Sequence, residues 1–257
     1  TASVIDTPPV ASTTAPATSN VGTYTISASG GTDNNYAFTY VPGTLTITQA
    51  VLTATADDKS RVYGDPNPAF TITYSGLKNS ETSSVIDTPP TAISTATATS
   101  NTGTYAITAS GGTDNNYSFN YTAGTLTITK ATVSVLVSSA SRVYGDPNPP
   151  FSASYSGFKN GESSAALDTP PVISTTANLT SNVGTYPITA SGGADNNYSL
   201  TYTDGVLTIG KATLLATAEN KSKVYGDANP AFTLIYSGFK NSETASVIDT
   251  PPTGSTI

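Results

Sequence analysis

Hydrophobic and polar residues alternate with a period of two in short runs along this chain, the pattern of β-strands with one buried face. Phe70, Ile72 and Tyr74 lie on one face of such a strand, and residues 51–56 and 61–63 predict two others. Sustained helical periodicity is missing from the sequence, so the chain is predicted to be all-β.

Two local elements are predicted within this pattern. A β-hairpin is expected around Ala123-Gly124, because two alternating runs flank this short glycine-containing turn. Its apolar positions are Tyr117, Phe119 and Tyr121 before the turn and Leu126 and Ile128 after it. The segment from Asn79 to Ile86 predicts a single helical turn, with Ser80 as its N-cap.

The whole pattern repeats with a fixed period of 81 residues. The tetrapeptide Asp-Thr-Pro-Pro marks it, starting at Asp6, Asp87, Asp168 and Asp249. A unit of this length exceeds the roughly 20–50 residues of a solenoid coil and suits one small domain. The predicted divisions are the C-terminal part of a repeat at 1–48, complete repeats at 49–129 and 130–210, and the N-terminal part of a repeat at 211–257.

Composition narrows the chemistry that the chain can perform. The sequence has no Cys, His, Met or Trp, and its net charge is −7. Thiol nucleophiles, histidine bases and the usual zinc ligands are therefore absent, and we expect neither an enzyme nor a cofactor. Negative charge argues against nucleic acid as a partner, and no apolar run approaches the roughly 20 residues of a membrane span. We expect a soluble chain located outside the cell.

Recurring carboxylates raise the question of calcium. The candidate ligands in one copy are Asp65, Glu81, Asp87 and Asp114. Calcium takes several oxygen ligands, but these residues form no dense acidic loop, so turn and strand-end caps are the alternative interpretation. Lys78, Lys159 and Lys240 recur in the same way and are candidate amines for an isopeptide cross-link.

Every tyrosine falls at one of five positions in the repeat. One copy has them at Tyr63, Tyr74, Tyr105, Tyr117 and Tyr121. The rings could form a ladder of platforms for glycans. Packing in the core is the favoured interpretation, because a domain of this size has few other large side chains.

At the level of whole motifs, the repeat resembles a known family. One copy contains, in order, VYGDPNPAF, TYSGL, NTGTYAITASGG and DNNYSFNYTAGTLTITKA. This order resembles the MBG-type repeat, and the related YDG-type repeat, found in tandem in large bacterial surface adhesins. The matching residues are Val62-Tyr63-Gly64-Asp65 with Pro68, Gly103-Thr104-Tyr105 with Ile107, Asn116-Tyr117, and Gly124 to Ile128. The resemblance implies a secreted adhesin or fibre on the bacterial cell surface and supplies no catalytic residues.

These observations predict small two-layer β domains, sandwich-like or related to the β-grasp, in an extended rod. Successive copies are joined without a Gly/Ser-rich linker, as at Lys130-Ala131, so the joints should restrict bending. We expect a stalk that projects a distal binding region, with neighbouring repeats as the main partners.

Two alternatives stay open. The array could bind glycans or proteins weakly at many sites, with Leu77, Phe158 and Phe239 as candidate contacts. Copies could also associate with one another in a fibre.

Overall fold

The computed structural model describes residues 4–255 and is all-β, as predicted. Strands account for 43% of it, and the helical residues form short 3₁₀ turns. The chain divides into two compact units, residues 1–129 and 130–257. Each unit contains one complete repeat and one partial repeat.

Numbered in chain order, the strands of the described residues are β1 (Val10–Thr13), β2 (Gly22–Ser29), β3 (Gly43–Ile47), β4 (Ala50–Ala56), β5 (Lys59–Val62), β6 (Ile72–Ser75), β7 (Thr91–Ile93), β8 (Gly103–Ser110), β9 (Tyr117–Thr122), β10 (Gly124–Thr129), β11 (Ala131–Val137), β12 (Ala140–Val143), β13 (Ala153–Ser156), β14 (Val172–Thr175), β15 (Gly184–Ser191), β16 (Tyr198–Thr203), β17 (Gly205–Gly210), β18 (Leu215–Ala218) and β19 (Leu234–Ser237).

Each complete repeat contains two mixed sheets. In the first unit, β4 is the centre of a three-stranded sheet, antiparallel to β6 and parallel to β9. The second sheet has the order β5-β10-β8-β7, with β10 parallel to β5 and antiparallel to β8. The complete repeat of the second unit has the same arrangement, in the orders β13-β11-β16 and β12-β17-β15-β14.

The two sheets pack face to face around one core. In the second unit, Val135 and Val137 of β11 form a buried cluster with Ile188 of β15 and with Leu207 and Ile209 of β17. The burial of β11 alternates strictly along the strand, as the sequence pattern predicts. Because side chains of both sheets meet in this cluster, the sandwich-like arrangement is confirmed.

The partial repeats keep only some of these strands. Residues 4–48 form the sheet β1-β2-β3, and residues 211–255 form the pair β18-β19. Side chains that a complete repeat would bury are exposed here: Tyr36 is 67% exposed, whereas its equivalent Tyr117 is 4% exposed. Tyr36 is therefore exposed because residues 4–48 lack the strands that cover its equivalent in a complete repeat.

The predicted hairpin at Ala123-Gly124 is wrong. Its two strands, β9 and β10, lie in different sheets and do not pair with each other. The chain crosses between the sheets at this corner, and Gly124 lies so close to β4 that a Cβ atom would be 2.3 Å from the Ala56 carbonyl oxygen. Alternation of apolar residues cannot distinguish the two cases, because it has the same period of two whether the following strand returns to the same sheet or enters the opposite one.

The helical turn predicted within residues 79–86 is present, but the prediction of Ser80 as its N-cap is wrong. A 3₁₀ turn covers only Ser83–Val85, and Thr82 occupies its N-cap position. Ser80 caps nothing there, because with Asn79 it adopts a left-handed backbone in a preceding turn.

Candidate functional site: the contacts between consecutive repeats

A buried arginine fixes the loop that follows the second strand of each complete repeat. Arg61 is 7% exposed, and its Nε donates to Asn67 Oδ1 at 2.8 Å. Its Nη atoms donate to the carbonyl oxygens of Val62 and Thr97. Asn67 also donates to the Ala96 carbonyl at 2.7 Å, so both side chains tie this loop to the loop before β8.

The second unit contains the same arrangement, a clamp formed by a buried arginine and the asparagine that it binds. Arg142 Nε donates to Asn148 Oδ1 at 2.7 Å, and Asn148 Nδ2 donates to the Ala177 carbonyl at 2.8 Å. Arg142 also donates to the carbonyls of Val143 and Asn178. Neutral oxygen atoms thus accept the hydrogen bonds of this buried guanidinium group. The loop between the arginine and the asparagine is fixed at both ends, and it contains the tripeptide Tyr-Gly-Asp.

The tripeptide forms a tight turn. Asp146 N donates to the Val143 carbonyl at 3.1 Å, and Gly145 has a φ of 81°. A positive φ at the third residue is the pattern of a type II turn, which requires glycine there. Tyr144 and Asp146 therefore flank Gly145, which has no side chain.

A second turn recurs in the motif Lys-Asn-x-Glu. Glu243 N donates to the Lys240 carbonyl at 2.9 Å. Asn241 and Ser242 have φ values of 52° and 63°, the pattern of a type I′ turn. The hydrogen bond between its first and fourth residues brings the lysine and the glutamate together.

In the second unit, the Tyr-Gly-Asp turn of the complete repeat contacts the Lys-Asn-x-Glu turn of the partial repeat that follows it. Tyr144 Oη donates to Glu243 Oε1 at 2.5 Å, and Lys240 Nζ donates to Asp146 Oδ1 at 2.7 Å. Gly145 lies against the lysine stem, where a Cβ atom on it would be 2.2 Å from Lys240 Cβ. Residues 130–210 and 211–255 are therefore joined by two polar contacts, and between these contacts the Gly145 backbone lies close to the Lys240 side chain.

The electrostatics of this contact favour the observed hydrogen bonds. The bond to the Glu243 carboxylate raises the pKa of Tyr144, while the Asn241 side chain opposes the shift. The tyrosine thus remains a hydrogen-bond donor at neutral pH. The Lys240–Asp146 pair is partly exposed, with side-chain exposures of 37% and 42%, so solvent weakens it.

In the first unit, a different pair of segments joins the two repeats. Val21 N donates to Asn116 Oδ1 at 2.9 Å, and Asn116 Nδ2 donates to Asn20 Oδ1 at 3.1 Å. Gln49, which lies between β3 and β4, donates through its side chain to the Asp114 carbonyl at 2.9 Å. These bonds fix the loop before β2 and the connecting segment on the following repeat.

Two of the calcium candidates stabilise loops. Asp87 Oδ2 accepts from the backbone and side-chain nitrogens of Asn115, at 3.0 and 2.9 Å. Asp114 Oδ1 accepts from the backbone nitrogens of Asn116 and Tyr117, at 2.7 and 2.9 Å. Asp114 Oδ2 also accepts from Asp87 N at 3.2 Å, so the structure brings this pair together.

The other two candidates lie in the turns already described. Glu81 Oε2 accepts from Tyr117 Oη at 2.6 Å, and Asp65 ends a Tyr-Gly-Asp turn. Burial and the bond to Glu81 raise the pKa of Tyr117. Within residues 4–255, no group of three or more acidic side chains is arranged to hold a metal ion. The four candidates have structural roles here, and calcium binding stays an untested prediction.

The tyrosines are integrated into the fold. Tyr63 and Tyr117 are buried, at 4% exposure each. The hydroxyl of Tyr105 donates to the Asn101 carbonyl at 3.0 Å, and that of Tyr121 accepts from Gly112 N at 2.9 Å. Packing with hydroxyls at the rim therefore accounts for these positions.

The candidate ligand contacts also pack within their own repeats. Phe158 makes an edge-to-face contact with Tyr198 at 5.1 Å, and Leu77 packs on the cluster around Leu52. The ring centroids of Phe239 and Tyr236 are 6.5 Å apart. The candidate cross-linking amine Lys240 forms the ion pair with Asp146, which is too exposed to resemble a core cross-link.

Sequence reasoning missed the contact between the two turns. The Asp146–Lys240 pair is separated by 94 residues and the Tyr144–Glu243 pair by 99. Neither separation equals the 81-residue period, so a comparison of equivalent positions in the repeats does not bring these residues together. One signal was present in the sequence: the motifs Tyr-Gly-Asp and Lys-Asn-x-Glu each recur three times with the 81-residue period.

Comparison with known families agrees with this repeat structure. The sequence model of the MBG domain (YGX type) matches residues 1–46, 52–127, 132–208 and 214–257. The chain belongs to this MBG family. Its matches follow the tandem MBG repeats, as the motif resemblance predicted, and the Tyr-Gly-Asp turn occurs in three of them.

Two further comparisons complete this description. No curated protein matches the chain significantly. In the described part of this MBG array, no helix has the length and apolar character needed to cross a membrane.

Proposed function

We propose that this chain is part of the stalk of a secreted bacterial adhesin or surface fibre, in which MBG repeats act as spacers for a distal binding region. The proposal places it at the bacterial surface and gives it neither catalytic activity nor a cofactor. Support comes from the direct contacts between consecutive repeats, which use buried or turn-fixed residues such as Asn116 and Tyr144.

The connection between repeats adds to this support. In the first unit, only Thr48 and Gln49 lie between β3 and β4, and the Gln49 side chain is bound to the following repeat. A short connection with both flanking segments fixed transmits orientation from one repeat to the next, whereas a Gly/Ser-rich linker would not.

The spacer role can be tested by display on a bacterial cell. The 257-residue chain is placed between a membrane anchor and an epitope, and compared with a version that lacks one full period, residues 130–210. At about 3.3 Å per strand residue, removal of one repeat should lower the epitope by roughly 30–45 Å. Localisation of the epitope by super-resolution microscopy measures this height.

Two outcomes would contradict the proposal. An epitope height that does not change with repeat number would show that the array does not act as a spacer. Binding to glycans or matrix proteins that increases with repeat number would instead favour the multivalent binding array.

A further inference from the structure

We infer that the Tyr-Gly-Asp turn at residues 144–146 is a docking motif whose partner is the Lys-Asn-x-Glu turn at residues 240–243 of the following repeat. This assigns an interaction surface and a partner of defined chemistry: a lysine and a glutamate held together by a type I′ turn. The assignment holds for a spacer and for a ligand-binding array alike, so it can fail independently of the proposed function.

The three residues of the motif have complementary parts in this contact. Tyr144 donates to Glu243, Asp146 accepts from Lys240, and Gly145 allows the lysine stem to approach. In chain order each turn has a donor followed by an acceptor, and the first residue of each turn motif binds the last residue of the other. A head-to-tail direction follows, because the two turns have different sequences and cannot exchange roles.

In each complete repeat, the glutamate equivalent to Glu243 contacts a buried tyrosine of its own repeat. Glu162 Oε2 accepts from Tyr198 Oη at 2.6 Å, and Tyr198 is 2% exposed. The equivalent Glu81 accepts from Tyr117 in the same way, at 2.6 Å. In the complete repeats, the glutamate at this position is therefore held by a buried tyrosine.

A charge-swap experiment on the 257-residue chain tests the docking. Asp146→Lys and Lys240→Glu each place like charges together, and the double variant restores an opposite-charge pair. Each single variant should speed amide hydrogen exchange in the Lys240–Glu243 turn about five- to tenfold, the equivalent of a partly exposed ion pair lost and a repulsion gained. The double variant should recover at least half of the lost protection on a logarithmic scale.

Asp227→Lys is the matched control for the charge swap. Asp227 ends the same kind of turn, but this sequence contains no Lys-Asn-x-Glu turn after it. Its replacement should leave exchange at residues 240–243 unchanged. Circular dichroism on every variant checks that the strands are retained.

A pair of glycine variants provides an independent test. Gly145 and Gly226 have φ values of 81° and 91°, so alanine strains both turns similarly. Only Gly145 has the Lys240 stem in its way, because a Cβ on Gly226 would meet nothing within 4 Å. Gly145→Ala should speed exchange in the Lys240–Glu243 turn at least fivefold, and Gly226→Ala should leave it within twofold.

Two results would overturn the inference. The first is single charge reversals that leave the exchange of residues 240–243 within twofold of the parent chain. The second is a double variant that exchanges as fast as the single variants, because a specific pairing must be restored when its charges are swapped.

Discussion

Replacement of Arg142 by methionine should destabilise residues 130–210 by about 2–4 kcal/mol. Methionine retains part of the apolar stem but removes all the donors. Three acceptors then lose their partner: Asn148 Oδ1 and the carbonyls of Val143 and Asn178. The cost is large because Arg142 is only 8% exposed, so water reaches these oxygens poorly.

Hydrogen exchange resolved by peptide measures this effect within one molecule, since residues 50–129 provide an unmutated repeat for reference. Arg142→Lys is the matched control, because the incomplete repeat has Lys223 at the equivalent position. Lysine keeps the charge but not the planar fork, so an intermediate loss of about 1–2 kcal/mol is expected. Equal stability of Arg142→Met and the parent chain would show that the clamp contributes nothing.

Gly205→Ala should destabilise the same repeat by about 2–3 kcal/mol. Gly205 begins β17 where the chain crosses from one sheet to the other. A Cβ atom there would lie 2.7 Å from the Ser138 carbonyl oxygen and 2.9 Å from that of Val137. Both obstacles are backbone atoms that end β11 or follow it, so the corner itself must shift to admit a methyl group.

Gly210 offers a control at the other end of the same strand. Its nearest neighbour would be the Arg142 carbonyl oxygen at 3.9 Å, an ordinary contact. Gly210→Ala should therefore change the free energy of unfolding by no more than about 0.5 kcal/mol. Similar losses for both variants in urea unfolding would indicate a general cost of alanine in β17, and would refute the close approach at the corner.

The strands were predictable because their signal is local. Alternation located β8 and β10 closely, and the family resemblance was confirmed over all four parts of the chain. The sheet to which each strand belongs was not predictable. Leu200 and Leu207 face one core from opposite sheets, and a period of two is the same whether the chain turns back or crosses over.

The contacts of the candidate site were predictable only in part. The carboxylates of Asp87 and Asp114 were correctly recognised as a recurring set with turn and cap roles as one interpretation. The buried role of Arg61 was not predictable from the sequence, because its partners include Thr97 in a distant loop. An arginine in an alternating run predicts an exposed position, and only the tertiary structure reveals the oxygens that satisfy it.

We propose that direct protein contacts, rather than a bound metal ion, fix the complete and the partial repeat of each unit relative to one another. Small-angle X-ray scattering on the dissolved 257-residue chain, with and without EDTA, tests it most directly. If the contacts within each unit are fixed without a metal ion, addition of EDTA should leave the scattering curve and the maximum dimension unchanged. A scattering curve that becomes typical of a flexible chain only in EDTA would contradict this and show that a divalent cation maintains the contacts.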